Sequence, residues 1–150
     1  MKLAGSYKLD LPREQVYQLL QDPSVLAQCM PGCDRLERTG ENEYAMRMKL
    51  LVASMSGLFE GKVTLTDQKP PESFRLKVEG NGKIGWTRGE GLLTLSPDGA
   101  GTTVSYEGEV SIGGPVAAIG QRLLDSTARM MIKRFFDKLN EVAQAQSSSA

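Results

Sequence analysis

Between residues 33 and 112 the chain repeats one pattern: runs in which every second residue is apolar, divided by turn residues. Tyr44, Met46, Met48, Leu50 and Val52 alternate with Arg47 and Lys49, and Phe59, Val63 and Leu65 alternate with Lys62 and Thr64. Phe74, Leu76 and Val78 alternate with Arg75, Lys77 and Glu79, and Leu93 and Leu95 mark the end of a further strand. Val104, Tyr106, Val110 and Ile112 alternate with Ser105, Glu107, Glu109 and Ser111. A period of two sends successive side chains to opposite faces. Strands joined by short turns, as at Lys69-Pro70-Pro71-Glu72 and Pro97-Asp98-Gly99, form an antiparallel sheet with one polar and one apolar face. The apolar face needs a cover, so the fold class is α+β in two layers.

The cover is the segment after Gly113-Gly114-Pro115. Pro115 suits a first helical position, where its missing N–H costs nothing. Steps of about 100° put Ala117, Gly120, Leu124, Ala128, Met131, Phe135, Leu139 and Val142 on one stripe of a long C-terminal helix. The stripe is small in its first half and bulky in its second. Small residues let a helix approach a sheet closely; they also leave room for a guest, and empty volume is costly in a core that only has to be filled.

The N-terminus reads as a half-buried strand, with Leu3, Gly5, Tyr7 and Leu9 on one face. Asp10 is placed to cap a short helix through Leu20 with Pro12 in its first turn, and Asp22-Pro23-Ser24 starts a second helical turn towards Gln28. Met30-Pro31-Gly32 is a turn. Residues 1–143 form one domain, and residues 144–150 read as a polar, disordered tail.

Glycines crowd the segment from Gly80 to Gly91. No helix follows to make it a phosphate loop. With Leu93 and Leu95 inward, Gly91 and Gly89 are inward too. Glycines there either let the sheet bend or leave the inner face bare beneath the helix.

Lysine plus arginine equals aspartate plus glutamate at 18 each. That balance argues against nucleic acid as the main partner. The chain has no histidine, which excludes histidine-dependent nucleophilic catalysis and the usual zinc sets. Cys29 and Cys33 have three residues between them and read as two thiols in a turn. Carboxylates such as Glu79, Glu107 and Glu109 lie at polar-face positions, and Asp125 pairs with Arg129 one helical turn on. No apolar run reaches the roughly 18 residues that a span needs, and the first residues lack a leader's apolar stretch. A cytoplasmic protein is expected.

The order of strand, two short helices, six strands and a long helix resembles the helix-grip fold of the START-like (SRPBCC) superfamily. More specifically, the chain is similar to the family of the G subunit of carbon monoxide dehydrogenase. The segments that carry the likeness are Cys29-Met30-Pro31-Gly32-Cys33, Gly57 to Val63, Gly80-Asn81-Gly82, Gly101-Thr102-Thr103 with Tyr106-Glu107-Gly108, and Gly113 to Leu124 with Phe135-Phe136. The resemblance implies a seven-stranded antiparallel sheet wrapped around the long helix, with two short N-terminal helices and a hydrophobic cavity. It implies an accessory role beside a molybdenum-containing dehydrogenase, without catalysis by the chain itself. A bound quinone or lipid, no covalent cofactor, and transient peripheral contact with the inner face of the membrane are what the family leads one to expect.

The candidate ligand-binding positions are Tyr44, Met46, Met48, Phe59, Val63, Leu76, Trp86, Gly89, Gly91, Tyr106, Gly120, Leu123, Leu124, Thr127 and Met131. Tyr44, Tyr106 and Thr127 are the hydroxyls available to a polar headgroup, Trp86 is a rim residue, and the ligand is expected beneath Ala117 to Ala128. Methionine suits such a surface because it is flexible and polarizable. Two alternatives remain beside carriage: a cyclase or hydrolase of the same fold, and a module that docks a dehydrogenase without a ligand.

Overall fold

The computed structural model describes the backbone of residues 1–148 and the side chains of residues 1–145. β1 (Lys2–Leu9) is followed by α1 (Arg13–Gln21) and α2 (Pro23–Cys29). Six strands then succeed one another: β2 (Cys33–Gly40), β3 (Glu43–Val52), β4 (Met55–Lys69), β5 (Ser73–Gly82), β6 (Gly85–Asp98) and β7 (Gly101–Gly113). A 3-10 turn, η1 (Pro115–Ile119), leads into the closing helix α3 (Gln121–Ser148). All seven strands form one antiparallel sheet in the order β1-β7-β6-β5-β4-β3-β2. This is the expected fold.

Local expectations differ from what forms at three places. Asp10 does not cap α1; Pro12, still extended at φ -60° and ψ 152°, holds the N-cap position with no side-chain bond, and its carbonyl accepts the first helical amides, from Gln15 and Val16, at 3.1 Å. Capping chemistry appears one helix later, where the Asp22 carboxylate accepts from the Ser24 amide at 2.9 Å. The closing helix starts at Gln121 and not at Pro115, since Gly114 (φ 85°, ψ -166°) and Gly120 (φ 99°, ψ 154°) bracket η1 in backbone regions open essentially to glycine alone. Residues 144–148, expected as disordered tail, continue α3; residues 149 and 150 lie outside the described residues.

The apolar interior divides in two. A large cluster joins α1 and α2 to the inner face of the sheet and the second half of α3, with Val16, Val104 and Leu139 wholly buried. Each such aliphatic contributes roughly 1.5–3 kcal/mol by leaving water. A small cluster of Val52, Val116 and Leu124, backed by Met55, Ile84, Ile112 and Ile119, sits at the other end, under η1.

Two cross-strand glycine pairs set the bend of the sheet between them. Gly61 faces Gly80 and Gly91 faces Gly108. A Cβ on Gly61 would collide with the Glu79 carbonyl, and one on Gly108 would stand 2.5 Å from the Glu90 carbonyl oxygen. Only glycine lets the strands approach so closely.

Candidate functional site: the gap between sheet and closing helix

Burial along the inner face falls off between the two clusters. On β7, Val104 is wholly buried, whereas Tyr106, Gly108, Val110 and Ile112 are only partly covered. On β6, Leu95 and Leu93 are buried and Gly91, Gly89 and Thr87 are partly covered; on β5 the same change runs from Phe74 to Leu76 and Val78. The facing positions of α3, Ala128, Met131, Ile132 and Phe135, are partly covered as well. An inner face that only had to be sealed would bury these positions as fully as Phe74 or Leu139. At the start of α3 a half-open depression of about 250 Å³ is lined by Met1, Val110, Ser111, Ile112, Gln121 and Leu124, of which Val110 and Ile112 also face the gap.

The strand glycines do both of the things expected of them. The nearest atoms to a Cβ on Gly91 are backbone atoms of β7, led by the Glu107 oxygen at 3.1 Å, so Gly91 serves the bend. The nearest atom to a Cβ on Gly89 is the Val110 Cγ2 at 3.3 Å, so a side chain there would enter the space beside Val110. Gly80 is buried against Thr87, Met46 and Phe59.

The structure sorts the predicted positions into three groups. Tyr44, Met46, Met48 and Val63 are buried within the large cluster, Phe59 is buried at its end of β4, and Leu124 is buried in the small cluster. Leu76, Gly89, Gly91, Tyr106, Thr127 and Met131 are partly covered, at the level of the gap. Three do not face it. Leu123 is 50% exposed, because it lies on the side of α3 opposite Leu139 and Ala143. Gly120 is exposed, a Cβ placed on it would meet nothing within 4 Å, and its role is the break before α3. Trp86 is 39% exposed on the polar face of the sheet, where its indole covers Gly113 and the Arg88 guanidinium stands 5.6 Å over its ring.

Of the proposed hydroxyl handles, Thr127 is committed: it donates to the Leu123 carbonyl at 2.9 Å, the usual bond of a helical threonine to the preceding turn. Tyr106 lies over Gly5 of β1, its oxygen 2.7 Å from where a Cβ would be. Its ring stacks near Tyr7 at 6.3 Å and Phe136 at 6.0 Å. Burial pushes the Tyr106 hydroxyl's pKa up, Tyr7 adds to this and Arg129 opposes it, so at neutral pH the group is a proton donor.

Val78, Gly108, Val110 and Ile112 belong to the gap and were not among the predicted positions. The signal was present, since each continues the period-two alternation of its strand. Phe136 was also missed: a ruler laid through Phe135 passes beside it, yet it is 4% exposed and stacks on Tyr7.

Among the described residues, no charged side chain is buried, Thr102 is the one buried side chain outside the apolar, aromatic and cysteine residues, and no three potential metal-ligating side chains gather. Cys29, at the end of α2, and Cys33, at the start of β2, are free thiols either side of the turn. No helix among the described residues is long and apolar enough to cross a membrane.

The chain matches the family described as the G subunit of carbon monoxide dehydrogenase (CoxG) over residues 5–144. No curated protein matches it. Among solved structures, a conserved protein from Geobacillus kaustophilus is 35% identical, with a TM-score of 0.93 over 97% of this chain and 96% of the other. A START superfamily protein from Mycobacterium smegmatis is 12% identical, with a TM-score of 0.76 over 97% and 98% of the two chains. The Zhui aromatase/cyclase from Streptomyces sp. R1128 is 12% identical, with a TM-score of 0.70 over 98% and 95%. The last two likenesses show a shared START-like fold.

Proposed function

The chain belongs to the CoxG family, that of the G subunit of carbon monoxide dehydrogenase, and we propose that it carries an apolar, quinone- or lipid-like molecule in the gap between sheet and α3. The observation that carries this reading is the divided interior: apolar and side-chain-free positions from Leu76 to Ile112 stay partly open between two buried clusters. A guest that covers about 200 Å² of such surface gains on the order of 5 kcal/mol without any polar contact. The half-open depression of about 250 Å³ is close to the lower end of ligand pockets, near 300 Å³. It suits one end of a longer guest whose remainder lies along Tyr106, Gly108 and Gly89. The Tyr106 hydroxyl, protonated at neutral pH, is a donor beside that path.

An accessory role beside a molybdenum-containing dehydrogenase belongs to the same proposal, and membership of a family described as a dehydrogenase subunit supports it. Turnover by the chain itself finds little support, because acid–base chemistry needs a positioned, tuned proton carrier and the described interior buries no carboxylate.

Solvent extraction of the purified protein, followed by mass spectrometry, is expected to release an apolar compound, and a short-chain quinone is expected to bind saturably. Gly89→Leu should weaken that uptake at least tenfold while the protein stays folded. An extract without apolar compound, together with no saturable uptake, overturns carriage. Retained capture of the dehydrogenase by Gly89→Leu would separate docking from carriage.

A further inference from the structure

The strand β2 is an edge of the sheet: β3 pairs with one side of it, and no strand among the described residues pairs with the other. The ladder decides which of its backbone groups lie on the free side. The Lys49 amide donates to the Gly32 carbonyl at 2.8 Å, and the Leu65 amide donates to the Asn42 carbonyl at 2.9 Å. Odd-numbered residues of β3 therefore turn their amides and carbonyls to β2, and even-numbered ones turn theirs to β4. Arg35 and Glu37, opposite Arg47 and Ala45, are thus engaged with β3. Leu36 and Arg38, opposite Met46 and Tyr44, present theirs to the free side.

An open edge invites pairing, and charged side chains usually guard it. The charges of β2 are arranged differently. In Asp34-Arg35-Leu36-Glu37-Arg38 the signs reverse about Leu36, so that Arg35 answers Glu37 and Asp34 answers Arg38. Two copies laid edge to edge about a two-fold axis at Leu36 set Arg35 of each against Glu37 of the other. Leu36 then faces Leu36 as a hydrogen-bonded pair, using its outward amide and carbonyl. Arg35 and Glu37 fall at non-hydrogen-bonded positions, where opposed side chains stand closest. Moving the axis by one residue keeps the outward groups opposed but brings Arg35 against Arg35 or Glu37 against Glu37. Like charges directly opposite destabilise a sheet, so the axis at Leu36 is selected.

The side chains agree with that register. Arg35 and Glu37 are exposed on one face and pair with each other at 2.9 Å, and a second copy closes them into a ring of alternating charges. Leu36, on the other face, is partly covered and packs on the large cluster, which a second Leu36 extends. β1, at the far edge, carries Lys2 and Lys8 and no carboxylate, so it offers Arg35 no counterpart.

We infer that two copies of this chain associate through β2, antiparallel about Leu36, into one continuous sheet of twice the width. The paired stretch runs only from Asp34 to Arg38, so the association is reversible and of the small-interface kind. It stands apart from the carriage reading, because β2 lies at the edge of the sheet and holds none of the positions that face the gap.

Sedimentation equilibrium of the purified full chain, from about 10 μM to about 1 mM, tests this. A monomer–dimer equilibrium is expected, and it should weaken at high salt as the opposed charges are screened. Arg35→Glu and Glu37→Arg should each associate more weakly by roughly tenfold or more, since each sets like charges across the axis. Mixed in equal amounts, the two variants should form a heterodimer at least as tight as the parent dimer. Mixing leaves like charges at positions 35 and 37 within each chain, so a loss that came from the internal Arg35–Glu37 pair would not be rescued. Leu36→Pro removes a donor that the ladder with β3 does not use, and should abolish association with circular dichroism unchanged. Lys8→Gln, on the other edge, should associate as the parent does. A parent that stays monomeric throughout, single charge variants that associate as the parent does, or a mixture no tighter than either variant alone overturns the inference. The charge variants decide it even where Leu36→Pro fails to fold.

Discussion

Tyr7 of β1 and Phe136 of α3 lie face to face, with ring centroids 4.6 Å apart and planes 13° from parallel. Tyr106 and Phe135 flank them, the latter edge-on to Phe136 at 5.2 Å. The stack fastens the second half of the closing helix to the edge strand, leaving the first half to the small cluster under η1. Phe136→Ala is therefore expected to cost about 3–5 kcal/mol in urea unfolding. Adding Tyr7→Ala should cost less than the sum of the two single changes, with a coupling of roughly 0.5–1.5 kcal/mol. Strict additivity would show that the rings do not support each other.

Thr102 ties α1's approach to β7: its hydroxyl, fully buried, donates to the Leu11 carbonyl at 2.7 Å. Thr102→Val keeps the shape and strands that carbonyl, at a cost of about 1–3 kcal/mol. A midpoint in urea unchanged from the parent would mean that water reaches the carbonyl.

Cys29 makes a pH prediction. Burial pushes its thiol up to about 11, with Glu141 adding to the rise and Lys138 opposing it. The folded state thus holds this proton more tightly than the unfolded chain does. Its contribution to stability is complete below the ordinary thiol value of 9.0 and is lost as pH rises towards 11. Tyr17 and Tyr106, also raised by burial, act in the same direction, so the informative quantity is a difference. Between pH 9 and 11 the parent should lose more stability than Cys29→Ala. At pH 8 alkylation of Cys29 should be slow until the protein is unfolded, because the thiolate is the reactive form. Rapid labelling of Cys29 in the folded protein would contradict the burial argument.

Gly120 bears on the closing helix through its backbone alone. Nothing lies within 4 Å of a Cβ placed there, yet its φ of 99° and ψ of 154° exclude ordinary side chains. Gly120→Ala should cost about 1–3 kcal/mol, and Gly114→Ala should cost at least as much, since its Cβ would stand 2.7 Å from the Gly85 Cα. A neutral Gly120→Ala would mean that η1 merges into α3 as one helix.

That break shows where sequence reasoning reaches its limit. The strands were legible because alternation such as Tyr44-Met46-Met48 has a single physical cause, a half-buried sheet. The closing helix was legible for the same reason from Leu124 onward. Gly120, in contrast, fits a small-residue stripe and a helix break equally well until its φ is known. Leu123 looks like an interior residue by type and Trp86 like a rim residue, but their side of the element depends on where the helix starts and how far the sheet curls. Phe136 was hidden because a stripe drawn from η1 carries a phase that the break at Gly120 resets. The gap itself follows from partial coverage of Val110, Gly108 and Val78, a property of two layers standing apart and of no single residue.

The separation of the apolar interior into a large and a small cluster means that sequence variants of this chain will produce two kinds of phenotype. Changes at Val16, Phe74 or Leu139 draw on the free energy that keeps the protein folded, and in a cell they will register as lower abundance. Changes at Val52, Val116 or Ile84 touch a minor part of that energy. They are expected to lower the amount of protein as well, since each buried valine carries its own burial energy, and in addition to alter how quickly the interior at that end exchanges with the surroundings. Measuring steady-state level alongside exchange rate would sort any collection of variants, whatever the guest.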